Sequence, residues 1–91
     1  MASATSIVRH RVEDYGAWRA VYDEVQDLRD KFGVTAHEVL VDPNDKNEIT
    51  VIHRFPDLAS AEGFAASEDL KAAMHRAGVA GPPRIELTVE P

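Results

Sequence analysis

Residues 34–55 read VTAHEVLVDPNDKNEITVIHRF, and this stretch decides the fold. His37, Val39 and Val41 alternate with Ala36, Glu38 and Leu40, and Ile49, Val51, His53 and Phe55 alternate with Thr50, Ile52 and Arg54, which is the period-two signature of strands. The polar segment Asp42-Pro43-Asn44-Asp45-Lys46-Asn47 between them reads as a turn. Two strands, Val34–Val41 and Glu48–Phe55, are therefore predicted as a hairpin. Side-chain parity pairs Val41 with Ile49 and Val39 with Val51, which sets His37 opposite His53.

Upstream of this hairpin, Val8, His10 and Val12 alternate with Ile7, Arg9 and Arg11, a first strand over residues 7–12. Trp18, Val21, Tyr22, Val25, Leu28 and Phe32 then recur at spacings of three and four. This predicts one amphipathic helix, capped by Asp14 and stopped by Gly33. Glu24, Asp27, Arg29, Asp30 and Lys31 read as its solvated face. Downstream, Pro56-Asp57 breaks the strand, and Asp57 or Ser60 caps a short helix carrying Leu58, Ala61, Phe64 and Ala65. Ser67 opens another with Leu70, Ala73, Met74 and Ala77 inward, and Gly78 ends it. His75 and Arg76 are cations placed well at its negative end. Gly81-Pro82-Pro83 terminates helical structure, and Ile85, Leu87 and Val89 alternate with Arg84, Glu86, Thr88 and Glu90 as a last strand over residues 84–90.

The order strand, helix, strand, strand, helix, strand is an α+β, ferredoxin-like β-α-β-β-α-β arrangement: a four-stranded antiparallel sheet with its helices on one face. A disordered leader is expected at residues 1–5 and a single domain at residues 6–91. The opposite sheet face mixes Ile7, Leu40 and Ile52 with Arg9, Arg54 and Glu86. A chain of 91 residues has a thin core. Covering that face with a second copy predicts a homodimer.

The chain contains no cysteine, so disulfides and thiolate chemistry are excluded, and a reducing, cytoplasmic setting fits. No segment approaches the ~20 apolar residues that span a bilayer, so no membrane partner is expected. The formal net charge of −6 with scattered basic residues argues against nucleic acid.

With those elements placed, the chain resembles the dimeric α+β barrel superfamily, in particular its short antibiotic-biosynthesis-monooxygenase and polyketide-cyclase-like members. The residues that carry the resemblance are Val8-Arg9-His10-Arg11-Val12 leading into Asp14-Tyr15-Gly16-Ala17-Trp18, the Asp42-Pro43-Asn44-Asp45 turn, and Ala77-Gly78-Val79-Ala80-Gly81-Pro82-Pro83. The resemblance implies a small-molecule cavity between sheet and helices. It also implies an activity among cofactor-independent oxygenases, cyclases, lactone isomerases and haem-degrading enzymes, or none. The Asn, Trp and His set of the haem-degrading branch is not recognisable, because the one Trp lies in the first helix and Asn44 and Asn47 lie in the turn.

His10, His37 and His53 share the parity of the apolar residues of their strands, so all three are expected to face the helices, with His10 a neighbour or diagonal neighbour of the other two. Imidazoles there are candidate acid–base catalysts for enolising or deprotonating an aromatic or polyketide-like molecule. Trp18, Tyr22, Phe64 and Met74 are candidate substrate contacts, and the same spacing equally serves plain core packing. Three histidines on one face also raise a zinc site. No local ligand motif such as His-Glu-x-x-His is present, and neither a metal nor a cofactor is expected. No Ser-His-Asp set or phosphate-cradling Gly loop is visible. The readings that follow are a cofactor-independent oxygenase or cyclase and, in a different class, a non-catalytic dimeric ligand-binding or accessory protein.

Overall fold

The structure, a computed structural model, describes residues 3–91. Its elements run β1 (Ala4–Val12), α1 (Tyr15–Glu24), α2 (Gln26–Lys31), β2 (Ala36–Asp42), β3 (Asp45–Phe55), α3 (Leu58–Ala65), α4 (Glu68–Arg76) and β4 (Val79–Val89). The four strands form one antiparallel sheet in the order β2-β3-β1-β4, the split β-α-β arrangement with each helical crossover divided in two.

The hairpin has the register that parity requires: Val41 faces Ile49, Val39 faces Val51 and His37 faces His53. Its turn is tighter than the polar run from Asp42 to Asn47 indicates, because Asp42 already pairs with Asp45. Asn47 then serves the fold differently. Its Oδ1 accepts from the Tyr15 amide at 2.9 Å and its Nδ2 donates to the Glu13 carbonyl at 3.4 Å, tying the hairpin to the start of α1.

The caps follow the sequence. Asp14 accepts from the Ala17 amide at 2.9 Å, Asp57 rather than Ser60 caps α3, and Ser67 caps α4. Gly33 and Gly78 close their helices at φ 76° and 79°, a conformation that costs other residues energy.

Three boundaries depart from expectation. The predicted single first helix breaks at Val25, which leaves helical geometry at ψ 26° although neither glycine nor proline is nearby. β1 starts at Ala4, whose side chain is fully buried, so residues 4 and 5 belong to the sheet, while Met1 and Ala2 of the expected leader lie outside the described residues. β4 begins at Val79 and runs through Gly81-Pro82-Pro83. An edge strand tolerates proline, and these three residues sit where the β1–β4 register shifts between Arg9 and Arg11. The bulge therefore lies opposite His10.

The core fills the space between sheet and helices. Val12, Ile49, Val51 and Phe55 project from the strands against Trp18, Tyr22, Ala61, Phe64, Ala73 and Ala77. On the other face Arg9 pairs with Asp42 and Glu48, and Arg11 with Asp45 at 2.7 Å and Glu48 at 3.5 Å, all within the chain. The helices cover β4 only in part, so Ile85, Leu87 and Val89 are exposed on the helix side, and Leu40 is exposed on the opposite face. Leu58, carried by α3, is exposed as well. No helix among the described residues is long and apolar enough to cross a membrane.

Candidate functional site

A partly open cavity of about 60 Å³ lies between the sheet and the helices. A water centre needs ~10–15 Å³, so the enclosed part has room for only a few, and a fused-ring ligand would extend through the open side. His10 and His53 line it from the sheet, and Trp18, Tyr22, Phe64 and Met74 from the helices. Ser6 and Arg29 line it too. A larger depression of about 210 Å³ on the opposite face, bounded by Ile7, Arg9, Thr50, Arg84 and Glu86, contains no histidine or aromatic ring.

The three strand histidines do not form one cluster. His53 faces Ser6 across β1–β3, whereas His10 faces Ile49, so His10 lies four residues, about 13 Å, farther along the sheet. The expectation that His10 neighbours the other two is corrected accordingly. A crossover helix joins β1 to the hairpin, and no tight turn fixes its offset. Among the described residues no group of three His, Asp or Glu side chains is placed to hold a metal ion.

His10 is buried, 6% exposed, with its ring 5.7 Å from that of Trp18. Among the described residues neither Nδ1 nor Nε2 has a hydrogen-bond partner. Burial lowers its pKa against a weaker opposing pull from Glu48. At neutral pH it is an uncharged imidazole with one N–H and one bare nitrogen, both unengaged.

His37 and His53 meet at Tyr22. The Tyr22 hydroxyl lies 2.7 Å from His37 Nδ1 and 3.5 Å from His53 Nε2, while His53 Nδ1 has no partner. Burial, then Arg29 and His37, pushes the His53 pKa down from 6.5 to about 4. His37 is on the edge strand and exposed; burial and the nearby Arg29 lower its pKa too. His37 is thus a hydrogen-bond partner at the rim and does not line the cavity.

Trp18 and Tyr22, one helical turn apart, stack at 4.9 Å with 23° between their planes. Burial raises the Tyr22 pKa, an effect that Arg29 and Arg19 oppose. The Arg29 guanidinium lies 4.0 Å from the centre of the Tyr22 ring, and the residue is only 3% exposed. Its assignment to the solvated helix face is wrong. The sequence did carry the signal: Trp18, Tyr22, Val25 and Arg29 step by four, three and four, so Arg29 continues the apolar stripe. A long stem lets arginine occupy such a position.

The sequence matches no protein-family model. It matches no curated protein. The fold, however, recurs in solved structures. The chain is similar to SnoaB, a cofactor-independent oxygenase from Streptomyces nogalater, with a TM-score of 0.78 and 14% identity over 97% of this chain and 92% of that one. It is also similar to a Bordetella bronchiseptica protein provisionally named an antibiotic biosynthesis monooxygenase, with a TM-score of 0.81 and 13% identity over 97% of this chain and 96% of that one. A third, NE2512 of Nitrosomonas europaea, is of unknown function and gives a TM-score of 0.77 and 21% identity over 99% of this chain and 90% of that one. The chain has the ferredoxin-like fold of the antibiotic biosynthesis monooxygenase structures, as the resemblance in its sequence implies.

Proposed function

We propose that the chain is a cofactor-independent oxygenase or cyclase that binds a planar aromatic or polyketide-like molecule in the sheet–helix cavity, with His10 as the acid–base group. The observation that carries this reading is His10 itself. A buried imidazole with neither nitrogen paired is costly, since buried polar groups are nearly always satisfied. A ligand hydroxyl seated against the bare nitrogen gives it a partner and a proton to take, while the N–H on the opposite edge of the ring takes a separate acceptor. Trp18 supplies a flat apolar wall next to it.

Proton removal gives an electron-rich phenolate or enolate. With dioxygen as co-substrate, a ring CH₂ becomes C=O: one oxygen atom enters the ring, the other leaves as water with the two hydrogens, and the substrate supplies the electrons. Without dioxygen, the same base enolises a ketone whose carbon then attacks a second carbonyl, closing a ring. The likeness in fold to a named cofactor-independent oxygenase favours the first course.

The same reading makes the chain a homodimer. The exposed Leu40 and the half-buried Ile7 and Ile52 on the outer face support this, and so does the partly exposed stripe of Ile85, Leu87 and Val89. A stable interface needs more than ~1,000 Å² of total buried surface. Light scattering is expected to return twice the chain mass at micromolar concentration.

The activity is tested by dioxygen uptake and product formation with a panel of anthrones and naphthols, using wild type and His10→Gln. An acid–base role of His10 predicts a loss of ~10²–10⁴-fold with binding retained. Full turnover in His10→Gln would remove His10 from the chemistry. Binding without turnover by either protein would establish the ligand-binding alternative.

A further inference from the structure

Arg29 is a buried cation without a counter-ion. No ion pair involves it among the described residues, although six other basic residues form them. Its acidic neighbours are engaged elsewhere: Asp23 pairs with Arg19 at 3.1 Å, and Asp30 accepts from Gln26 Nε2 at 2.9 Å. Arg29 Nε and Nη2 both donate to Gln26 Oε1, at 3.2 and 3.0 Å, so a neutral amide occupies the side-on edge of the guanidinium. The end-on edge, formed by Nη1 and the second hydrogen of Nη2, makes no hydrogen bond among the described residues. With the whole residue only 3% exposed, little of the guanidinium is left to water.

Among the described residues no aspartate or glutamate lines the cavity that Arg29 borders. Arginine cannot shed its charge by deprotonating, so burial leaves an uncompensated positive charge beside an apolar space. The Tyr22 ring face returns part of that cost and, with Gln26, holds the guanidinium plane fixed. A rigid planar fork with its end-on edge free matches the two oxygens of a carboxylate.

We propose that Arg29 is an anion subsite, and that the ligand of this cavity is an aromatic carboxylic acid whose carboxylate seats end-on against the guanidinium while its ring lies against Trp18. This rests on the cavity being a small-molecule site. It goes further by fixing the charge of the ligand and the residue that reads it. The carboxylate becomes the missing counter-ion, so a neutral analogue of the same shape forfeits the charge pairing and leaves Arg29 as it is.

Isothermal titration calorimetry with 1-hydroxy-2-naphthoate, its methyl ester and 1-naphthol tests this. Wild type is expected to bind the carboxylate at least about tenfold tighter than either neutral probe, with the preference shrinking as salt rises. In Arg29→Gln the carboxylate falls to the level of the neutral probes, whose own affinities change little, and Arg29→Lys recovers part of the preference. If wild type binds all three equally, the anion subsite is refuted while the small-molecule site stands. If none of the three binds, the cavity reading falls and the subsite with it. Should Arg29→Gln fail to give a native circular-dichroism spectrum, the comparison of carboxylate with ester in wild type decides alone.

Discussion

Ala4, Phe55, Ala61 and Phe64 form an apolar cluster between the sheet and α3; Val12, Trp18, Tyr22, Ile49, Val51 and Ala77 form another beneath α1. The same strands feed both, through the same alternation of side chains. In the first cluster Ala4, Phe55 and Ala61 are fully buried, and the Phe64 ring meets those of Phe55 at 5.5 Å and Phe32 at 5.7 Å. Every side-chain atom of these four residues is carbon. The second cluster borders the cavity, abuts the unpaired His10 and is roofed by the Arg29 guanidinium over Tyr22. One end of the layer is built to hold the fold and the other holds polar groups at an energetic loss. His53 stands between them, 5.1 Å from Phe64 and 6.2 Å from Tyr22.

The contrast breaks most visibly at Phe55. Truncation of a fully buried aromatic ring removes its transfer energy and leaves a void, so Phe55→Ala is expected to lower stability by about 3–5 kcal/mol in urea denaturation. Affinity per folded molecule for a cavity ligand should be unchanged. A loss below about 1 kcal/mol would mean that this end of the layer is not close-packed.

His53 gives the next largest effect, through pH. Its pKa falls from 6.5 to about 4 in the fold, because burial disfavours the cation. Below 6.5 the unfolded chain takes up a proton that the folded chain refuses, so the stabilisation present above 6.5 drains away as pH falls toward 4. The full span corresponds to roughly 3 kcal/mol. Denaturation at pH 7.5 and 4.5 should show it, and His53→Phe should flatten the slope. An unchanged slope in the variant would place the acid sensitivity elsewhere, with His10 as the first suspect since its shift has the same sign.

What could be read in advance follows from where each constraint is local. Strand parity is local, so the inward aim of His10, His37 and His53 and the His37–His53 register were legible from alternation and a short turn. The offset of His10 was not, because a helical crossover, unlike a hairpin turn, does not fix pairing register. The break at Val25 has no sequence mark. Gly81-Pro82-Pro83 marks a stop in most settings and was misread because only the strand order reveals that β4 is an edge. Arg29 differs again: its charge points to solvent and its spacing to the core, and the spacing prevails because the long stem lets the guanidinium lie over Tyr22.

His10 sharpens the contrast with a change of sign. A substitution that deletes two unsatisfied nitrogens removes a cost of ~1–3 kcal/mol per buried group, partly offset by imperfect fit. His10→Leu is therefore expected to be as stable as wild type or up to about 2 kcal/mol more so, while losing whatever acid–base activity the site has. Thermal unfolding and turnover measured on one sample read both quantities. A clear destabilisation would show that His10 contributes as packing.

The smallest effect is expected at the Tyr22 hydroxyl, which meets both the rim histidine and the buried one. That hydroxyl has one hydrogen and two imidazole neighbours, at 2.7 Å on His37 and 3.5 Å on His53. If it donates to His37, then His53 must carry its proton on Nε2 to point a donor back, leaving Nδ1 as a bare base. If it donates to His53, then His37 holds its proton on Nδ1 and the His53 proton moves to Nδ1. Tyr22→Phe keeps the stack on Trp18 and the ring beneath Arg29 and removes only this link. The net value of one such bond is ~1 kcal/mol, which is the loss of stability expected. The histidine ring nitrogens then report the arrangement: in ¹⁵N spectra the shorter distance predicts His53 protonated on Nε2 in wild type, and the variant should free His37 to exchange between tautomers. A variant with wild-type stability and unaltered histidine spectra would show that the rim histidine and the buried one are not linked through Tyr22.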